Sequence, residues 1–185
     1  MEQNIQEFRD GIFALRSRRF GTVAELMIEK LYGFKESRNQ FHDRFDDTCN
    51  KRVEIKFSTV MKANESTINA SNLIDQCAKA SLAQRALNSQ DIDHFPFDCN
   101  IQQVKCAEFD LLYYGLFFAD KIAIFSMTND EVISCPGYSD FQHKGNEGEG
   151  QFHLNNTSIE YHLKNYFVRW LFYEEFYHMF SYGAK

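Results

Sequence analysis

Asp43, Glu54 and Lys56 stand in one short stretch, Phe41 to Val60, that reads as a β-hairpin carrying acids. Val53, Ile55 and Phe57 alternate with Glu54 and Lys56, the period-two pattern of a half-buried strand that turns its apolar residues to a core and its charges to the other face. Phe41 to Phe45 is strand-like as well, and Asp46-Asp47-Thr48-Cys49-Asn50 supplies the small polar residues of a turn. Folding about that turn sets Asp43 opposite Glu54. Two carboxylates on adjacent strands suit Mg2+, which takes oxygen ligands, is held by one or two carboxylates and acidifies its waters. The Lys56 ammonium beside them is placed to stabilise charge growing on phosphorus or to orient the attacking water. Strict alternation would put Asp43 on the face of Phe41 and Phe45 and Asp46 on the face of Glu54. A bulge or bend is then needed to aim Asp43 at the site, and Asp46, with Asp47 behind it, is the reserve first acid.

An Asp, a short hairpin and Glu-x-Lys resemble the active-site signature of the PD-(D/E)xK nuclease superfamily, which includes many restriction endonucleases. Asp43, Glu54 and Lys56 match its first acid, second acid and lysine in order. Roughly one Glu-x-Lys is expected by chance in a chain of ordinary composition, so the tripeptide counts through its context: an apolar-flanked strand, an acid at hairpin distance, an acid-bearing helix before it and a helix after it. The bland alternative is a surface hairpin whose charges are a solvated face. The resemblance implies an α/β fold with a mixed central sheet flanked by helices, and Mg2+-dependent hydrolysis of double-stranded DNA by a type II site-specific deoxyribonuclease. It implies that Asp43 and Glu54 hold the metal, that the helix before the hairpin contributes a further acid, for which Glu25 is the counterpart, and that Lys56 assists the in-line attack.

Within that superfamily the chain looks most like the small catalytic subunit of a heterodimeric Type IIS restriction enzyme, in which a larger site-reading nickase positions the DNA and the small subunit cuts the other strand. The resemblance covers residues 20–130 and rests on short motifs. A self-sufficient homodimeric restriction or repair endonuclease is the nearest alternative. A non-catalytic protein whose aromatic C-terminus binds a partner is the alternative from another class.

The rest of the composition bounds these readings. The 185 residues are read as one nuclease domain, with 44% hydrophobic residues and only two prolines, long enough to bury roughly 70% of the surface of the unfolded chain. The N-terminus lacks a basic, apolar leader and no run approaches the ~18 apolar residues of a membrane span, so a cytoplasmic protein with no membrane partner is expected. Five scattered cysteines form no C-x-x-C pair and six histidines no H-E-x-x-H, which leaves zinc chemistry unsupported. The net charge of −6 is unusual for a chain that must hold DNA alone, because phosphate neutralisation supplies most non-specific affinity. A partner subunit that supplies specificity and phosphate contacts would account for it.

Along the chain, Asn4 to Arg19 has helical apolar spacing and carries Arg9, Arg16, Arg18 and Arg19, a solvated face or a phosphate contact. Thr22 is then an N-cap, Glu25 the acid of its capping box, and Gly33 the stop of a second helix. Ile68 to Asn88 reads as a helix, Ile101 to Lys105 as a strand from which Gln103 or Lys105 could project towards the metal, and Leu111–Phe118 with Ile122–Met127 as a hairpin. Cys135 to Gly150 reads as a loop, with Gln142, His143, Lys144 and Asn146 as possible DNA contacts; its glycines lack the context of a phosphate loop, so no nucleotide cofactor is expected. Ser158 to Tyr182 is expected to be one long aromatic helix, buried on more than one side.

Overall fold

The computed structural model describes residues 2–37, 39, 41–62, 67–142 and 148–181. Two helices precede the hairpin. α1 (Gln3–Phe13) buries Ile5, Ile12 and Phe13, and α2 (Ser17–Tyr32) buries Ala24, Met27 and Ile28. The expected single helical run from Asn4 to Arg19 is therefore broken, with Arg16 in an extended conformation between the two. The break lets both apolar faces reach the same hydrophobic cluster. Thr22 lies inside α2, not at its start, and its hydroxyl donates to the Arg18 carbonyl one turn back at 3.2 Å. The capping box expected of Thr22 and Glu25 is absent, which frees the Glu25 carboxylate for other partners. α2 stops at Gly33, which adopts the left-handed conformation at φ 72°.

A short β1 (Lys35–Glu36) leads into β2 (Arg44–Asp46), which pairs antiparallel with β3 (Lys51–Thr59) in the register Arg44↔Val53, Phe45↔Arg52, Asp46↔Lys51. The hairpin is thus present, but its first strand is shorter than the sequence pattern suggests. The segment after β3 is not one helix: α3 (Leu73–Ala78) and α4 (Leu82–Arg85) are short and bury no residue. The spacing of Leu73, Ile74, Leu82 and Leu87 looked helical, yet Ile74 is 81% exposed, so no core holds a long helix together.

β4 (Asp98–Val104) is the expected strand, but it leaves the main sheet and pairs antiparallel with β7 (Gly150–Asn155). Between them come β5 (Leu111–Phe117) and β6 (Lys121–Thr128), the expected hairpin, and α5 (Asn129–Ile133), opened by a capping box between Thr128 and Glu131. The last described elements are α6 (Ile159–Asn165), β8 (Phe167–Phe172) and α7 (Tyr173–Ser181). The long aromatic helix expected over 158–182 is corrected by this: its centre is a strand hydrogen-bonded to β6. Aromatic residues on both faces of β8 hid the period of two.

The main sheet runs β1-β2-β3-β5-β6-β8 and is mixed, since β3 and β5 are parallel and the other pairs antiparallel. The fold is α/β, with this sheet flanked by helices. Alternation sorts its residues onto two cores: Leu112, Tyr114 and Leu116 face the β4–β7 layer, whereas Val53, Ile55 and Phe117 face α1, α2 and α7. Gly115 is required where it stands, because a Cβ there would lie 2.1 Å from the Ala123 carbonyl oxygen and 2.4 Å from the Phe57 ring. Among the described residues, no helix is long and apolar enough to cross a membrane.

Candidate active site

β3 is parallel to β5 with Glu54 beside Leu112 and Lys56 beside Tyr114, so both charges point to the β4 side of the sheet. Asp43 arrives there from the end of β2. Its N–H donates to the Val53 carbonyl at 3.1 Å and its Oδ2 accepts from the Ile55 N–H at 2.8 Å, which carries the pairing on by one side chain after the strand has ended. The Lys56 ammonium hydrogen-bonds Glu54 Oε1 and lies 3.6 Å from Asp43 Oδ2. One cation therefore sits between two carboxylates.

Register decides which aspartate is near. Phe45 opposes Arg52, so the face of Phe45 is the face of Glu54, and Asp46, opposite Lys51, belongs to the other face. The Asp46 carboxylate instead closes the turn, accepting from the Thr48 N–H at 2.9 Å, the Thr48 hydroxyl at 2.6 Å and the Cys49 thiol at 3.0 Å. The expectation that Asp46 shares the face of Glu54 is corrected by this register, and no bulge is needed to aim Asp43. Asp47 lies in the same turn.

Glu25 approaches from α2. Its Oε2 is 3.1 Å from Arg44, whose guanidinium also reaches Glu29 at 2.7 Å and donates to the Asp43 carbonyl at 2.7 Å. Arg44 thereby ties the helix to the hairpin beside the acids. Burial raises the Glu25 carboxyl above its ordinary value, with Asp43 adding to the rise against the pull of Arg44 and Lys56. Glu25 feels both Asp43 and Lys56, but its direct partner is Arg44. Among the described residues, no group of three or more His, Cys, Asp or Glu side chains is gathered closely enough to hold a metal ion.

Electrostatics single out Glu54. It is 8% exposed, and burial pushes its carboxyl up to about 7, against the attraction of Lys56 and with Asp43 and Glu108 adding negative charge. Burial alone would lower the Lys56 ammonium, but Glu54, Asp43 and Glu25 outweigh it and the net shift is upward. The pair thus keeps a charged lysine beside a carboxyl that exchanges its proton near neutrality.

The cleft over these groups, about 160 Å3, is closed by residues from elsewhere: Gln103 and Lys105 from the end of β4, then Glu108 and Glu149. Lys105 Nζ lies 3.8 Å from Glu108 and 3.9 Å from Glu149. Gln103 adopts φ 57° at a register shift between Gln102 and Val104, a bulge that re-aims its side chain. Both Gln103 and Lys105 therefore line the site. Glu108, Glu149 and His42 were not anticipated. His42 is 7% exposed, and its Nδ1 has no hydrogen-bond partner among the described residues. Its place next to Asp43 was the only sequence signal. Of the basic N-terminal residues, Arg9 is turned away, pairing with Asp10 and donating to the Ala119 carbonyl at 3.1 Å. His143, Lys144 and Asn146 lie outside the described residues; Gln142 is described but does not line the cleft.

No protein-family model, curated protein or solved structure matches this chain.

Proposed function

We propose that the protein is a Mg2+-dependent endonuclease that hydrolyses DNA phosphodiester bonds at the Asp43–Glu54–Lys56 cluster. The observation that carries this reading is the convergence of two carboxylates and a lysine at one hairpin end, under a cleft, with Asp43 fixed by the Ile55 N–H and Glu54 buried. The topology supports it in part: an acid-bearing helix and a hairpin precede short helices, and β5 is laid parallel against β3, although β4, which comes between, pairs with β7 outside the main sheet.

The donor set fits a hard divalent cation, since both acids offer carboxylate oxygen and lie on either side of a cationic ammonium. Asp43 and Glu54 would hold the ion, which when bound supplies an acidified water and Lewis-acid stabilisation of the phosphate. Glu25, committed to Arg44, acts as a supporting acid. Asp43 holds its orientation through the Ile55 amide. Glu54, whose carboxyl burial raises above its ordinary value, would hold the ion in its ionised form. Lys56, held between Glu54 and Asp43, would offer its ammonium to the phosphate oxygens.

The acidic chain, net charge −6, favours a second protein that brings the DNA, and we place this chain as the strand-cutting subunit beside a larger recognition subunit. Plasmid cleavage in Mg2+ by the purified protein, alone and with the host lysate, tests this. Site-specific cutting that requires the lysate is expected. Cutting of a defined site by the protein alone replaces the partner reading with a self-sufficient enzyme, and no Mg2+-dependent cutting under either condition removes the nuclease reading.

A further inference from the structure

Beside the acid cleft runs a second, larger groove of about 690 Å3 that shares Lys56 and Gln103 with it. Its floor is the outer edge of β3. β2 covers β3 only from Lys51 to Val53 and the Asp43 carboxylate caps the Ile55 amide, so from Phe57 to Thr59 that edge has no neighbouring strand among the described residues. An uncovered strand edge presents unpaired amide and carbonyl groups, which proteins normally cap or cover. Here it lies at the bottom of a groove walled by the end of α1 and the first turns of α2 on one side, and by Leu82 and Gln103 on the other.

The walls mix aromatic rings with a few polar groups. Phe20 and Phe57 are half-buried against Phe117, at ring distances of 5.0 and 5.7 Å, so each is fixed in place yet open to the groove. Ser58, Thr59 and Gln103 supply neutral hydrogen-bonding groups, the one acid in the lining, Glu25, is paired with Arg44, and the exposed Arg18 has no acid partner among the described residues. Gly21 is the informative position. It lies in the interior of α2, where glycine costs about 1 kcal/mol relative to alanine, and a Cβ there would meet nothing within 4 Å. Packing does not call for glycine at this point. Gly21 lines the groove, so the wall carries no side chain at that position.

From these features we infer that the groove holds a short unpaired stretch of the strand being cut, its bases against Phe20 and Phe57 and its backbone near Arg18 and Lys56. The inference rests on the nuclease reading and narrows its substrate to DNA locally single-stranded beside the scissile phosphate. A volume of about 690 Å3 falls in the range of about 300–1,000 Å3 typical of small-ligand pockets. Aromatic side chains on which bases stack, beside cations that follow the backbone, are the pattern of single-strand recognition, and the groove lining holds both, Phe20 and Phe57 with Arg18 and Lys56.

The test is equilibrium binding of a fluorescently labelled single-stranded oligodeoxynucleotide, and of the same sequence as a flush duplex, in EDTA so that no strand is cut. Wild type is expected to bind the single strand at least about tenfold more tightly than the duplex. Gly21→Leu, which fills the groove while improving helix propensity, is expected to fold with an unchanged or higher thermal midpoint and to lose about tenfold or more in single-strand binding, the scale of one stacked base. Arg18→Glu, on an exposed side chain, should weaken the same binding. Equal or better binding of the duplex, or single-strand binding by Gly21→Leu equal to wild type, overturns the inference. The two readings fail separately. Groove-dependent single-strand binding by a protein that cuts nothing in Mg2+ retains the groove and removes the nuclease, whereas cutting of flush duplex at undiminished rate by Gly21→Leu removes the groove and retains the nuclease.

Discussion

Asp43 accepts the Ile55 amide hydrogen at 2.8 Å, across the end of a strand pair that stops at Arg44 and Val53. One carboxylate oxygen thus replaces a missing strand neighbour while its side chain faces Lys56. Structure and chemistry separate here by substitution. Asp43→Asn keeps an acceptor for the amide and should leave stability within about 1 kcal/mol, whereas Asp43→Ala leaves a part-buried donor unpaired and should cost about 1–2 kcal/mol. Both should abolish cleavage, as read by denaturant titration beside a DNA cleavage assay.

Glu54 gives a prediction with a defined pH window. Its folded-state value near 7 lies above the ordinary 4.5, so the folded chain binds its proton more tightly than the unfolded chain. The associated stability is fully present below pH 4.5 and is lost as pH rises through 7. Glu54→Gln removes that loss and should be more stable than wild type by about 1–2 kcal/mol at pH 8, the gap closing towards pH 5. Thermal or urea unfolding at the two pH values measures it. Wild-type cleavage should rise over the same range as the carboxyl ionises.

His162 has the opposite sign. It is fully buried, bonded through Nδ1 to the Tyr114 hydroxyl at 2.7 Å and stacked on Phe152 at 5.7 Å, and burial lowers it to about 4. A depressed value confers stability that is present above the ordinary 6.5 and lost as pH falls towards 4. His162→Phe leaves the Tyr114 hydroxyl without that partner and should cost about 1–3 kcal/mol at pH 7.5, with the deficit shrinking between pH 6.5 and 4. Unfolding curves across that range check it.

Gly115→Ala should be the most damaging single methyl in the sheet. The added carbon meets the Ala123 carbonyl oxygen at 2.1 Å and the Phe57 ring at 2.4 Å, and neither can move without opening the β5–β6 pair or displacing a half-buried ring. A loss of about 3 kcal/mol is expected, seen as a lowered denaturation midpoint.

What could be read in advance follows from how local each signal is. The β2–β3 and β5–β6 hairpins were visible because Val53, Ile55 and Phe57, and the two apolar runs around Ala119-Asp120-Lys121, alternate or break over a few residues. β8 was not, because all of its residues except Arg169 are apolar and the faces they occupy are settled only by pairing with β6. The choice between Asp43 and Asp46 needed the register, which the pairing of Phe45 with Arg52 sets. Arg44 was missed altogether: its partners Glu25 and Glu29 lie on a helix 19 and 15 residues earlier. Glu108 and Glu149 reach the cleft only through tertiary folding, and nothing near them in the chain marks them.

The central claim is that Lys56 and its two carboxylates act on a phosphodiester. Its most direct test is the single-turnover rate of Mg2+-dependent DNA cleavage by wild type and Lys56→Ala, with circular dichroism and thermal midpoint confirming that the variant is folded. The account predicts a loss of at least about a hundredfold on removing the ammonium, within the range seen when one transition-state donor is deleted. A folded Lys56→Ala that cuts at the wild-type rate would contradict it.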